Sequence, residues 1–193
     1  FIVRSKGRKV VEGTAPYQFI VVEGISGSGK TEISQRLCER LPAQYYTTPP
    51  SPFREVREEA DKTLTPEARF LFYLSSIAQA SWEIGKMLEV GNVVCDKYVW
   101  TTVCYHVTYG LCVEALPAQL VCREPDHVFL VVCEDGKRIQ RIRDRGTPKN
   151  VEANDLRQQM ERRCLNEFRK HICQEIDNTR EGPEHAVEEI LSI

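Results

Sequence analysis

Phe19-Ile-Val-Val-Glu-Gly-Ile-Ser-Gly-Ser-Gly-Lys-Thr31 is the stretch on which the reading of this chain turns. Phe19 to Val22 is a short apolar run entering a glycine cluster, the pattern of a buried strand that feeds a turn. Beyond the cluster, Ile33, Leu37 and Leu41 recur four residues apart, as on one helix face, and Pro42 closes that helix. Between strand and helix, Gly24 to Thr31 fits G-x-x-x-x-G-K-[ST] in full. Glycines let such a loop curl until successive backbone N–H groups face inward, where they cradle phosphate oxygens. Gly24, Ser26, Gly27, Ser28 and Gly29 are therefore expected to wrap the phosphates of ATP. Lys30 is expected to reach the β- and γ-phosphates, and the Thr31 hydroxyl to complete a Mg²⁺ shell. The helix that starts near Lys30 adds its positive end.

Working outward, Val93-Val94-Cys95 and Val128 to Cys133 read as further buried strands, and Ile172 to Ile176 as a last one. Helices are expected over Pro66 to Val90, Arg138 to Arg145, roughly 151–170 and Pro183 to Leu191. Residues 98–124 read as mostly helical or irregular. The proline-rich stretch 47–53 is an extended loop. Short continuous apolar strands separated by helices imply an α/β fold, a parallel sheet covered on both faces in a three-layer α/β/α arrangement of the P-loop NTPase type. One domain is expected over 18–193, preceded by a basic N-terminal arm, 1–17.

The chain has 193 residues, 41% hydrophobic and 28% charged, with a formal net charge of -2. That near balance argues against a nucleic-acid partner. The longest purely apolar run, Val128 to Cys133, is too short to span a membrane. The first ten residues carry charge where a secretory leader needs a longer apolar stretch. Eight cysteines form no CxxC pair, and Cys95 and Cys133 sit in hydrophobic runs, so buried free thiols and a reducing, cytoplasmic compartment are expected.

Phosphoryl transfer needs a carboxylate near the metal and cations around the migrating group. Asp96 ends an apolar strand, where ligands gather in open α/β sheets, and is the expected Mg²⁺ partner, acting through a water rather than as a direct ligand. Arg138, Arg141 and Arg145 share one helix face, and Gly136 and Gly146 flank them, so 135–150 is expected to form a lid. A solvated basic face is the plainer reading of the same residues.

Four blocks in order, Phe19 to Thr31, Phe70-Leu-Phe-Tyr73, Gly91-Asn-Val-Val-Cys-Asp-Lys-Tyr98 and Arg138 to Gly146, resemble the thymidylate-kinase family of nucleoside monophosphate kinases. Thr48-Pro49-Pro50 is similar to a divergent mitochondrial UMP/CMP-kinase branch. The resemblance implies catalytic roles for Lys30, Asp96 and the Arg138–Arg145 lid. It puts Phe72 on the acceptor base, Tyr105 in the same pocket, and Asn178 to Arg180 along the adenine. It also implies a homodimer, for which the Pro66–Val90 helix is a candidate face. The departures fall on the acceptor side: Ser26 replaces a loop Asp, Lys97 an Arg, Ser76 another Arg, and Thr47-Thr48-Pro49-Pro50 a Thr-Arg-Glu-Pro pattern. Lys is a point charge and does not reproduce a bidentate clamp.

Three readings stand on these residues. The first is a kinase for nucleoside monophosphates, with Lys97 and Arg54 or Arg57 on the acceptor phosphate; it expects a basic and aromatic pocket. The second is a kinase for an uncharged nucleoside or metabolite hydroxyl, with Asp96, Glu23 or Glu55 as base and few cations in the pocket. The third is a nucleotide-binding protein without turnover.

Overall fold

The computed structural model describes residues 17–112, 122–144, 151–180 and 182–193, and of 151–156 the backbone. All but the last residue of the expected N-terminal arm therefore lies outside the described residues, as does Arg145. Five strands form one parallel sheet in the order β2-β3-β1-β4-β5: β1 Phe19–Glu23, β2 Ala43–Thr47, β3 Asn92–Asp96, β4 His127–Val132 and β5 Gln174–Asp177. Among the described residues seven helices connect and flank them: α1 Lys30–Arg40, α2 Phe53–Thr63, α3 Pro66–Met87, α4 Val99–Thr108, α5 Asp135–Asp144, α6 Val151–Phe168 and α7 Glu184–Leu191.

Strand alternation divides the core into two layers. Ile20, Val22, Val94, Phe129 and Val131 pack on one face with Ile33 and Leu37 of α1 and Val187 and Ile190 of α7. Phe19, Val21, Val93 and Cys95 pack on the other with Phe70, Ile77 and Ile84 of α3 and Val99 and Val103 of α4. Each fully buried side chain of this size contributes about 1.5–3 kcal/mol, which holds the sheet rigid beneath the loops at its carboxyl edge. Parallel register aligns Val22 with Asp96 and Thr47 with Asp96, so the ends of β1, β2 and β3 meet in one row. Sites in such sheets lie beyond this row.

The α/β expectation holds, and two elements add to it. β2 is an edge strand, half-buried along its length, and its Gln44-Tyr45-Tyr46-Thr47 carries no apolar run to announce it. α2 buries Ala60 alone among its eleven residues, so its charged sequence lacks a core stripe. α3 starts as its sequence predicts, with Pro66 in the first turn and Thr65 accepting the Ala68 N–H at 3.3 Å.

Candidate active site

The loop between β1 and α1 takes the conformation its glycines permit. Gly24, Gly27 and Gly29 have φ of 143°, 81° and 97°, values that side chains rarely adopt. Neighbours crowd the same turn: a Cβ on Gly29 would lie 2.1 Å from Asn178 Nδ2, and one on Gly24 would lie 2.5 Å from the Val131 carbonyl oxygen. Lys30 is 5% exposed, and its ammonium donates to the Ile25 carbonyl at 2.6 Å. Burial lowers its pKa to about 8, against the opposing pull of Asp96. Thr31 Oγ1 donates to Asp96 Oδ2 at 2.6 Å, and the Tyr45 hydroxyl donates to the same oxygen at 3.3 Å. Asp96 Oδ1 is buried with no partner. An orphaned carboxylate oxygen beside a threonine hydroxyl suits a hydrated divalent cation, which prefers oxygen ligands and keeps its waters.

The arginine segment is fastened to this loop from outside. Arg138 is buried and donates to the Ser26 carbonyl at 3.2 Å while pairing with Asp135. Arg141 donates to the Ser28 carbonyl at 3.3 Å and to the Asn178 carbonyl at 3.2 Å. Asn178 Nδ2 donates to the Ser28 carbonyl at 2.8 Å. Turning these carbonyls outward leaves the inner side of the loop for anions, apart from the N–H groups of Ser26 and Ser28, which donate to Glu161 and to the Ile25 carbonyl. Arg180 is exposed, and it does not line the cleft described next.

A cavity of about 940 Å³ runs from the loop between α2, α3, α4 and α6. Its cations, besides Lys30, are Arg57, Arg69, Lys97 and Arg157; its carboxylates are Asp61 and Glu161; its rings are Tyr73, Tyr105, His106 and Tyr109. Lys97 sits at the carboxyl end of β3 with φ of 70°, left-handed for a non-glycine residue. Backbone strain of this kind gathers at functional sites. Tyr105 donates to Glu161 Oε2 at 2.8 Å, and that oxygen also accepts the Ser26 N–H at 3.3 Å. Glu161 therefore brings a carboxylate to the position where the loop carries Ser26.

The structure brings Lys30, Thr31, Lys97 and Tyr105 to the one cavity. Asp96 lies beneath Thr31. Phe72 packs on Phe53 at 5.5 Å between ring centroids, and the ring that α3 presents to the cleft is that of Tyr73. Arg54 donates to the Pro49 and Thr47 carbonyls, and Arg57 and Arg69 supply cations from α2 and α3. Sequence reasoning passed over Glu161, His106, Tyr109 and Arg157. Helical spacing on α4 carried a signal for some of them, because Thr102, Tyr105, His106 and Tyr109 fall on one face.

Behind the cleft, Glu23 at the end of β1 is buried and accepts from the backbone N–H groups of Tyr98, Trp100 and Thr101, and from the Thr101 hydroxyl. Burial raises its pKa to about 7, while those hydrogen bonds pull the other way.

Comparison with known proteins gives the cleft a lineage. The family model described as thymidylate kinase matches residues 22–190. A probable thymidylate kinase of Methanocaldococcus jannaschii is 26% identical over 90% of this chain and 93% of its own. The thymidylate kinase of Exiguobacterium sibiricum is 30% identical over 71% and 73%. A probable thymidylate kinase of Methanococcus vannielii is 30% identical, and the match spans 65% of each protein, just under two thirds of that relative's length. Among solved structures, thymidylate kinase from Candida albicans superposes with a TM-score of 0.72 at 17% identity, over 93% of this chain and 91% of that one. A match that runs from the strand before the phosphate loop to the last helix places this chain in the thymidylate kinase family.

Proposed function

We propose that this chain is an ATP-dependent kinase that transfers the γ-phosphoryl group of ATP to a nucleoside monophosphate seated between α2, α3, α4 and α6. The carrying observation is the single cleft that joins the phosphate loop to four further cations and four rings. An acceptor phosphate needs cations, a base needs flat partners, and both lie within one cavity of the glycines.

In this reading the loop N–H groups and Lys30 hold the donor phosphates in line with the acceptor, and Arg138 and Arg141 keep the loop in its receptive shape. Thr31 and Asp96 hold Mg²⁺ with its waters. The metal, when bound, offsets the charge that spreads over the migrating phosphoryl oxygens. Lys97, Arg57, Arg69 and Arg157 are the candidates for the acceptor phosphate. A hydroxyl acceptor would need a base: Asp61 Oδ1 accepts from Tyr73 at 2.8 Å, Glu161 Oε2 accepts from Tyr105 and Ser26, and Asp96, whose Oδ1 has no partner, lies beneath Thr31 and is assigned here to the metal. Of the other candidate bases, Glu23 is enclosed by four donors, and Glu55 is exposed on α2.

Among the described residues no helix is long and apolar enough to cross a membrane, and all eight cysteines are free thiols. We place the enzyme in a reducing, cytoplasmic compartment, and as a homodimer through α3, where Leu71 and Trp82 are exposed. A coupled ADP-release screen over nucleoside monophosphates, nucleosides and other hydroxyl compounds tests the reading. Turnover confined to monophosphates is expected. Turnover confined to uncharged hydroxyl compounds, or none with any acceptor, overturns it.

A further inference from the structure

The phosphate loop is held from outside the cleft as well as from within. Ser26 lies between two peptide groups, and each is taken by a different helix. Its N–H donates to Glu161 Oε2 of α6 at 3.3 Å, and its carbonyl accepts from Arg138 Nη1 of α5 at 3.2 Å. Planar peptides leave two soft dihedrals per residue, so holding the groups on both sides of one Cα fixes its conformation. α5 also packs directly on the next residue: a Cβ on Gly27 would lie 2.8 Å from the Arg138 carbonyl oxygen and 2.9 Å from Arg138 Cγ.

One carboxylate ties the two helices together. Asp135 stands in the first turn of α5. Its Oδ1 accepts from Arg138 Nε at 3.3 Å and lies 3.2 Å from Nη2 of the same guanidinium, while Oδ2 accepts from Arg162 Nε at 2.7 Å. Arg162 follows Glu161 on α6, so the contacts close a ring that leaves Ser26 through Arg138 and Asp135 and returns to it through Arg162 and Glu161.

The arms of this ring differ in weight. The Arg162 side chain is 63% exposed, and so open a pair contributes little by itself. Arg138 is 1% exposed, and Asp135 is the only carboxylate paired with it among the described residues. A buried guanidinium stripped of its counter-ion is unstable where it lies, and any move toward water takes it off the Ser26 carbonyl. Burial opposes the charge on Asp135, but its two arginines outweigh burial, so its pKa lies below the ordinary carboxylate value and the counter-ion is in place at neutral pH.

We propose that Asp135 is a positioning residue for the ATP site: as counter-ion to the buried Arg138 and anchor for Arg162 of α6, it presets the backbone of the phosphate loop at Ser26 before ATP arrives. Glycine loses more freedom on ordering than any other residue, and this loop has glycine at 24, 27 and 29. A ligand that must itself order such a loop binds more weakly by that cost. The inference rests on the ATP half of the kinase reading above and adds to it a residue that touches neither substrate.

The test reads the ATP side alone and then the whole reaction. Calorimetry uses the magnesium complex of adenylyl imidodiphosphate, an ATP analogue with a non-transferable phosphoryl group, and needs no acceptor. Asp135→Ala is expected to weaken its binding about tenfold, and Arg138→Met to match it. Adding Asp135→Ala to Arg138→Met should then weaken binding by less than about threefold more, because both changes remove one and the same interaction. In steady state, with whichever monophosphate the acceptor screen selects, Asp135→Ala should raise ATP KM by a similar factor and leave acceptor KM within about twofold, a split that general loosening of the fold does not produce. A loss below about threefold in either single variant, a further loss of about threefold or more in the double one, or a parallel rise of both KM values overturns the inference and leaves the kinase reading standing. Analogue binding that weakens as expected in a chain that turns over no monophosphate upholds the inference and overturns the kinase reading instead.

Discussion

The two walls of the cleft are built on opposite plans. The wall proposed for ATP is eight consecutive residues, Gly24 to Thr31, shaped by backbone and buttressed by Arg138, Arg141 and Asn178. The opposite wall is a mosaic of single side chains drawn from α2, α3, α4 and α6, with one of its cations, Lys97, on a strained backbone. A backbone cradle tolerates little substitution, because every N–H has a fixed place. A mosaic of side chains can be exchanged piece by piece. Conservatism is thus expected on the first wall and novelty on the second.

The largest test of that contrast is Lys30→Ala. Loss of the only ammonium buried at the loop among the described residues is expected to lower kcat by about a thousandfold, in the range seen when one charge-stabilising donor is removed. The thermal midpoint should not fall, because burial already opposes the charged lysine. An undiminished rate would break the assignment of the ATP wall.

Gly29→Ala follows. Its φ of 97° and the Asn178 amide 2.1 Å from the new Cβ should cost about 1–3 kcal/mol of stability. Calorimetry should show weaker ATP binding with acceptor binding unchanged; equal losses at both ligands would mean the walls are not independent.

Lys97→Gly sharpens the contrast from the other side. Removing the charge should raise acceptor KM about tenfold and leave ATP KM within twofold. Relief of the left-handed strain, about 1 kcal/mol, should raise the thermal midpoint by about 2–4 °C. A lower midpoint would show that Lys97 is held by more than its backbone.

The smallest effect is in pH. Lys30 has its pKa lowered from 10.5 to about 8, so the free enzyme should lose kcat/KM for ATP above about pH 8. The folded chain then binds fewer protons than the unfolded one between those two values, so the Lys30 contribution to stability rises with pH across the same window. Activity and stability diverging in one titration would be the signature; parallel decline would assign the limb to another group.

These plans also decide what the sequence disclosed. Gly24 to Thr31 is legible because strand, turn and helix requirements coincide in thirteen consecutive residues, Phe19 to Thr31. β3 and β4 are legible as apolar runs because both faces are covered. β2 escaped because an edge strand exposes half its surface and its tyrosines do not form such a run. α2 escaped because it buries one alanine. Glu161 and His106 escaped for a different reason. A lone carboxylate or imidazole has meaning only beside Ser26, Tyr105 or Arg69, and those neighbours are between 37 and 135 positions away or one helix over, a proximity that folding creates. The family resemblance carried Phe72 to the base, whereas α3 turns Tyr73 toward the cleft and Phe72 toward Phe53.

Glu23 shows what keeps so mixed a cleft in working order. It ends the strand from which the loop springs, and its carboxylate gathers the opening amides of α4, the helix that carries Tyr105 and His106. One side chain therefore yokes the loop proposed to carry the donor to the helix proposed to carry the acceptor. The clientele of such an enzyme can drift through changes along α4 while the two reacting groups stay at the same separation, because the yoke lies below the surface that changes.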